Sequence, residues 1–369
     1  MRVVPVARRM LFSSRRRALL GVLGVAAALV MALSLDAVFA GATRQVSRYI
    51  DSSPADVIVS ENGVRTIHMS VSVLSDSVVA DVAELAGVAW TEPILFTSDS
   101  VESDSGGRRP SYVFGYGPGG QGGPASVVAG VEPGPGELVL DESAASGLGI
   151  EVGDRVRILG RAWRISGLTT GMTSIVNTTV YVRYDDLGDL LGRKGTASYI
   201  LVGSTGDPER LAREIEESTG QTAQTRPRFS AEERAIVREM STDLMLIMSV
   251  AAFIVALAVI GLTLYASVLS RLRDIGVMKA LGSNASRISR IVLAQAVWTT
   301  SIALAVAVAL TYTIGAVVAA LAPDIDLVVE ASSVARIGIA AAAISMVAAV
   351  IPIFRVARVD PASVFRRPS

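Results

Sequence analysis

A single histidine, His68, and the absence of cysteine set the limits of side-chain chemistry in this chain of 369 residues. No disulfide, thiolate metal site or thiol nucleophile can form, and one imidazole cannot build a His-rich metal centre. His68 is the one candidate for a Ser–His pair, yet its alternating surroundings read as an ordinary strand position. Gly115-Tyr116-Gly117-Pro118-Gly119-Gly120 has the letters of a dinucleotide loop. A phosphate-cradling turn must open a helix, whereas Pro118 and further glycines occupy this one, so a flexible loop is expected. No G-x-x-x-x-G-K-[ST], H-E-x-x-H or G-x-S-x-G occurs, so the usual machinery of nucleotide, metal-dependent or serine-dependent hydrolysis is missing. Asp36 is the one acid beside the first apolar run; an interfacial place is the plain expectation and a proton relay the sharper one. Gln295 and Thr299 to Ser301 suit hydrogen bonds between helices. The most patterned stretch is 270–295. Ile275, Met278 and Leu281 recur there at helical spacing among Arg271, Arg273 and Lys279, with Gly282 as a stop and Ser283 or Asn284 as the cap of a new helix. On periodicity alone this short amphipathic helix suits an interfacial anchor with its basic residues on lipid headgroups.

The scaffold around these residues is apolar. By the broad count 51% of residues are hydrophobic and 18% charged, with mean hydropathy +0.49, beyond ordinary soluble usage. Lys+Arg and Asp+Glu balance at 34 each, so nothing in the net charge calls for a nucleic-acid partner. Charge-free runs cover 18–35, 244–270, 291–322 and 337–354, and about 20 apolar residues span a bilayer. Four spans are expected. The third, about 48 Å long if helical, should tilt or bend, with Gly315 as a weak point. Arg15 to Arg17 before the first run and Val38-Phe39-Ala40 after it also fit a cleaved signal peptide, but the run exceeds the usual length of roughly 7–15 residues. An uncleaved anchor is expected. Arginines flank the first run at positions 2, 8, 9 and 15–17, fill the loop at 271–290 and return in the tail after 354. Positive flanks stay on the cytoplasmic side, so both termini are expected inside and the stretch from Gly41 to Asp243 outside.

That outer stretch reads as a mixed α/β globule. Strands are expected near Asp56–Ser60, Thr66–Leu74, Ser126–Val131, Asp154–Leu159, Trp163–Leu168, Thr178–Tyr184 and Tyr199–Gly203. A helix is expected over Ser75–Ala86, and another from Asp207-Pro208, an N-cap with proline at the first helical position, to about Glu217, ended by Gly220. Ser98–Gly123 is polar and glycine-rich, the composition of a mobile loop. Ala231–Asp243 enters the second run without a breaker, which predicts a continuous helical stalk.

The string Arg271-Leu272-Arg273-Asp274-Ile275-Gly276-Val277-Met278-Lys279-Ala280-Leu281-Gly282, with Gln295 in the next helix, resembles the signature loop of the FtsX-like/MacB-like permeases, the membrane subunits of type VII ABC systems. The tail from Arg355 through Asp360-Pro361 to Arg366 resembles the basic ending these permeases carry, and 136–154 resembles part of their extracytoplasmic domain. The resemblance implies an α-helical membrane protein with four transmembrane helices and a large extracytoplasmic α/β domain between the first and second helices. Its parts would be a basic leader (1–17), spans at 18–40 and 291–322, the outer domain (41–230), a stalk with the second span (231–270), a coupling loop (271–290), an external loop (323–336), the fourth span (337–354) and a cytoplasmic tail (355–369). It implies a non-catalytic permease in a bacterial cytoplasmic membrane, working with a cytosolic ABC ATPase, a second permease copy, identical or homologous, and membrane lipid. The chain would bind no cofactor itself, ATP and Mg residing on the ATPase. In MacB the ATPase is fused ahead of the first span; the 17-residue leader here implies a separate chain. ATPase coupling would fall to Arg271, Arg273, Asp274, Ile275, Gly276, Met278, Lys279, Ala280, Leu281 and Gly282, with a second contact at Arg358, Asp360, Pro361 and Arg366. Export or extraction of a hydrophobic or amphipathic substrate is the expected role, with an extracytoplasmic adaptor; the alternative is an FtsX-type regulator of a cell-wall hydrolase or sensor.

Overall fold

The computed structural model describes residues 15–117, 119–174, 176–269, 284–322 and 324–357. Two compact units form. One comprises Met1–Ala40, Ser241–Leu321 and Leu327–Ser369, the other Gly41–Met240 together with Ala322–Asp326.

The described residues open with helix α1 (Arg15–Val46) and the short α2 (Arg48–Ser52). Among the described residues twelve strands and four helices follow. They are β1 (Val57–Ser60), β2 (Leu74–Ser75), α3 (Asp76–Ala83), β3 (Val88–Ser103), β4 (Arg108–Tyr116), β5 (Ala129–Gly130), β6 (Glu137–Asp141), α4 (Glu142–Leu148), β7 (Arg155–Ile158), β8 (Arg161–Thr169), β9 (Thr178–Arg183), α5 (Tyr184–Leu191), β10 (Thr196–Ala197), β11 (Tyr199–Ser204), α6 (Pro208–Thr219) and β12 (Thr222–Thr225). One sheet runs β12-β1-β11-β3-β4-β9-β6-β8-β5. Because β7 pairs with both β3 and β8, the strands β3, β4, β9, β6, β8 and β7 close into a ring. Leu95, Val113, Leu138, Leu140, Trp163, Ile165, Val180 and Val182 pack together there. The pairs β4–β9 and β6–β8 are parallel and the remaining pairs in the sheet antiparallel. In the other half of the sheet, Val57, Val59, Ile200 and Val202 bury against Leu211 and Ile215 of α6 and Val82 of α3. Alternation within β1 and β11 sends Ile58, Tyr199 and Leu201 to the opposite face, where Tyr49 stacks on Phe114 with ring centroids 3.7 Å apart.

Local chemistry explains the elements that form where expected. Asp207 accepts the Glu209 N–H, Pro208 sits in the first turn, and Gly220 ends α6 at φ +69°, a left-handed conformation that glycine adopts without a Cβ penalty. Three expectations need correction. Ser98–Gly123 is not a mobile loop over 98–116: β3 and β4 form a hairpin there, with Val101 and Val113 buried on one face and Phe114 on the other. Thr66–Leu74 is a loop except at Leu74, because its backbone bonds to a side chain rather than to a neighbouring strand. Only Ala129–Gly130 of Ser126–Val131 is a strand.

The last four helices among the described residues are α7 (Arg226–Leu269), α8 (Ala285–Leu321), α9 (Ala331–Ala348) and α10 (Val350–Ala357). Helix α7 is unbroken over 44 residues, about 66 Å at 1.5 Å per residue. Helix α8 passes through Gly315 without a break. Pro352 has no N–H for the carbonyl four residues back, and the last apolar run divides at Ala349. Among the described residues Leu19–Val46, Ser289–Leu321 and Ala331–Phe354 are long and apolar enough to cross a membrane, while the apolar stretch in α7, Val250–Leu262, is shorter. Val25, Leu29, Leu33, Ile260, Ala296, Ala303, Ala307, Ile337 and Ala341 form the core of this unit. Small side chains let helix backbones approach closely. A Cβ on Gly24 would lie 2.7 Å from Val259 Cγ1.

Candidate functional site

The residues expected to couple to an ATPase, Arg271, Arg273, Asp274, Ile275, Gly276, Met278, Lys279, Ala280, Leu281 and Gly282, lie outside the described residues, as do Arg358, Asp360, Pro361 and Arg366. The structure does describe the root of α7, which is fixed in the α/β unit from several sides. Phe229 is fully buried, its ring edge-on to Tyr199 at 6.1 Å. Ser230 Oγ donates to Asp51 Oδ1 at 2.7 Å, and Arg234 donates to Ser47 Oγ at 2.8 Å and Asp51 Oδ2 at 2.5 Å. Burial alone would raise the Asp51 carboxyl, but the hydrogen bonds from Ser230, Ser47 and Arg234 outweigh it and hold the group below its usual range.

Glu233 grips the other side. Its side chain is 1% exposed. Oε1 accepts the backbone N–H groups of Ile67 and His68, and Oε2 stands 2.6 Å from His68 Nδ1. A buried carboxylate is tolerated because both of its oxygens have hydrogen-bond partners. Burial, and after it the Glu233 charge, pushes the phenols of Tyr112 and Tyr199 above their ordinary range. His68 is thus no ordinary strand residue; it is the imidazole partner of an acid 165 positions away. Moving the first turns of α7 would break these bonds together, at about 1.5–3 kcal/mol for each hydrogen bond to a charged group.

A second feature joins Ala322–Asp326 to the same unit. Asp324 Oδ2 pairs with Arg109 at 2.6 Å and Asp326 Oδ2 with Arg48 at 3.1 Å. Gln45 donates to the Asp324 carbonyl at 3.1 Å, and the two arginines also donate to the carbonyls of Ser174 and Gly171. Gly41 is required here, since a Cβ would lie 1.7 Å from the Asp326 carbonyl oxygen. In the helical unit Asp36 Oδ1 lies 2.5 Å from Arg336 Nη2, a compensated acid between α1 and α9. Thr299 and Thr300 are buried in α8.

The glycine-rich segment has a packing role. Gly117 and Gly119 press against Glu92, where added Cβ atoms would come within 2.8 and 2.1 Å of its carboxylate oxygens, and Gly122 against Ile94. Burial raises the Glu92 carboxyl, with a hydrogen bond from the Gly117 backbone opposing it in part. Among the described residues no group of three or more His, Asp or Glu side chains is placed to hold a metal ion.

An α/β unit inserted between apolar helices, with a long helix rooted in it, defines a class of membrane-anchored subunit. Residues 18–218 match the MacB-like periplasmic core domain and residues 246–361 the FtsX-like permease C-terminal domain. The chain belongs to the FtsX-like/MacB-like permease family and is an ABC transporter permease of that type. It is 28% identical over 358 residues to the uncharacterised ABC transporter permease Rv0072 of Mycobacterium tuberculosis, covering 96% of this chain and 97% of the relative. The uncharacterised ABC transporter permease Mb2592 of Mycobacterium bovis is 25% identical over 359 residues, with the same coverage. The periplasmic region of MacB from Actinobacillus actinomycetemcomitans aligns with TM-score 0.38 at 15% identity, covering 48% of this chain and 92% of that one. The extracellular domain of the transporter YknZ from Gram-positive bacteria aligns with TM-score 0.36 at 13% identity, covering 46% and 98%.

Proposed function

We propose that this permease transmits force: a separate cytosolic ATPase, carrying ATP and Mg, acts on the loop at 271–282 and the tail at 358–366, and α7 carries the displacement to the α/β unit. The observation that carries this reading is the unbroken helix from Arg226 to Leu269, whose first turns are held by Asp51, Ser47 and the His68 loop. An unbroken helix moves as a rod, whereas a hinged one would dissipate motion at its breaks. The protein works as four spans with both termini in the cytoplasm, in a pair of permease copies. Export or extraction of a hydrophobic or amphipathic substrate follows from movement of the outer domain, without passage through the spans.

The test is ATPase stimulation by the purified complex. Gly276→Asp or Met278→Glu should abolish stimulation of the partner ATPase while membrane insertion stays intact. Undiminished stimulation by both variants would overturn the reading. In addition, Ser283→Cys should react with an impermeant thiol reagent only after cells are opened; labelling in intact cells would reverse the orientation.

A further inference from the structure

Beside the root of α7 lies a cleft of about 330 Å³, within the range of roughly 300–1,000 Å³ for small-molecule sites. Val71, Phe96, Leu191 and Tyr199 give it apolar walls, Ser198 adds a hydroxyl, and Arg193 supplies the one charge among its lining residues. No carboxylate lines it. The Arg193 guanidinium is half-buried and has no hydrogen-bond or ion-pair partner among the described residues, although neighbouring Lys194 pairs with Asp189 at 2.5 Å. The loop carrying Val71 is itself unusually apolar for a surface. Met69 is 82% exposed, Val71 71% and Val73 43%, and Met69 holds a left-handed φ of +58°, costly for a residue with a long side chain. Exposed apolar side chains grouped beside a cleft mark an interaction site more than an isolated one does.

We propose that this cleft binds a single-chain amphiphile with an anionic head, the hydrocarbon lying along Val71, Phe96 and Leu191 and the carboxylate or phosphate on Arg193. A guanidinium offers the forked donors that such oxyanions accept, and the unpaired charge excludes cationic amphiphiles. Occupancy is sensed by α7, because the loop that forms the cleft's wall begins at Ile67 and His68, the residues bonded to Glu233. This names a ligand class for the outer domain and rests on the permease reading for its purpose, while its test does not depend on ATPase coupling.

The test uses the full chain in lipid nanodiscs and a fatty acid carrying a photoreactive diazirine. Labelled peptides should map to 69–73 and 96–98, competition by decyl phosphate should remove at least three-quarters of that label, and decyltrimethylammonium should not compete. Arg193→Glu should lose the label at least tenfold and Arg193→Lys should retain most of it, with ATPase stimulation in the absence of ligand unchanged in both. Label confined to the membrane helices, equal competition by the cationic amphiphile, or full labelling of Arg193→Glu would each overturn the proposal. Because labelling needs no ATPase, a failed Gly276→Asp test with intact labelling would sink the coupling reading and leave the ligand site standing.

Discussion

Glu233 and His68 meet at 2.6 Å between Oε2 and Nδ1, and the same carboxylate accepts the amide hydrogens of Ile67 and His68. One side chain of α7 thereby organises a loop that belongs to no strand.

Removing that carboxylate should therefore loosen the loop before it unfolds the domain. Glu233→Ala leaves two backbone donors without their acceptor, at about 1–3 kcal/mol for each one that stays buried, and hydrogen exchange at residues 66–73 should accelerate at least tenfold. Glu233→Gln keeps an acceptor and should lose less. Unchanged exchange in Glu233→Ala would mean that the loop is held by something else.

The attachment of 322–326 can be measured as a coupling. Arg109 and Asp324 are both largely shielded, with side chains 21% and 23% exposed, so a double-mutant cycle of Arg109→Ala and Asp324→Ala in thermal unfolding should return about 1 kcal/mol within the range known for contacting pairs. Strict additivity would show that the pair contributes nothing. Gly41→Val should displace the same loop, seen as faster exchange at 324–326, because the Asp326 carbonyl occupies the space of its side chain.

Two carboxylates should give opposite pH signatures. Asp51 is held below its unfolded range, so its contribution is present above about pH 4 and is lost as pH falls through the folded value. Asp51→Asn should lower stability at neutral pH and flatten the acid limb. Glu92 is raised by burial, so the folded state gives up stability as pH climbs from about 4 through the raised value. Glu92→Gln should match the parent near pH 4 and exceed it at pH 7–8. A parent and variant that stay parallel across that span would rule out an ionisation cost at Glu92.

Trp163, 1% exposed and donating from Nε1 to the Ile158 carbonyl at 3.3 Å, anchors the closed ring of strands. Trp163→Ala should cost about 3–5 kcal/mol in chemical denaturation. A loss below about 1 kcal/mol would show that the ring collapses readily around the gap.

Features set by neighbours in sequence were legible from letters alone. Asp207-Pro208 and Gly220 bound their helix because caps act within one turn, and β-branched runs mark β1, β9 and β11 because burial on both faces needs no partner's identity. The β3–β4 hairpin stayed hidden, since serines, Asp99 and Arg109 stand among Leu95, Val101, Val113 and Phe114, which divide between two different buried faces. Arg109 with Asp324 and His68 with Glu233 were invisible for another reason. Their partners lie 215 and 165 residues apart, and no local period encodes such a meeting. Asp36 stood out as an acid beside an apolar run, but Arg336 as its counter-ion did not.

The strand order carries a consequence for how the protein is made. β1 pairs only with β11 and β12, so the strand that emerges first has no partner until residues 199–225 have been synthesised. Such late closure slows folding and leaves Val57-Ile58-Val59 open to wrong pairings meanwhile. A nascent chain stalled before residue 199 should remain protease-sensitive at its amino-terminal strand, however complete its ring of later strands.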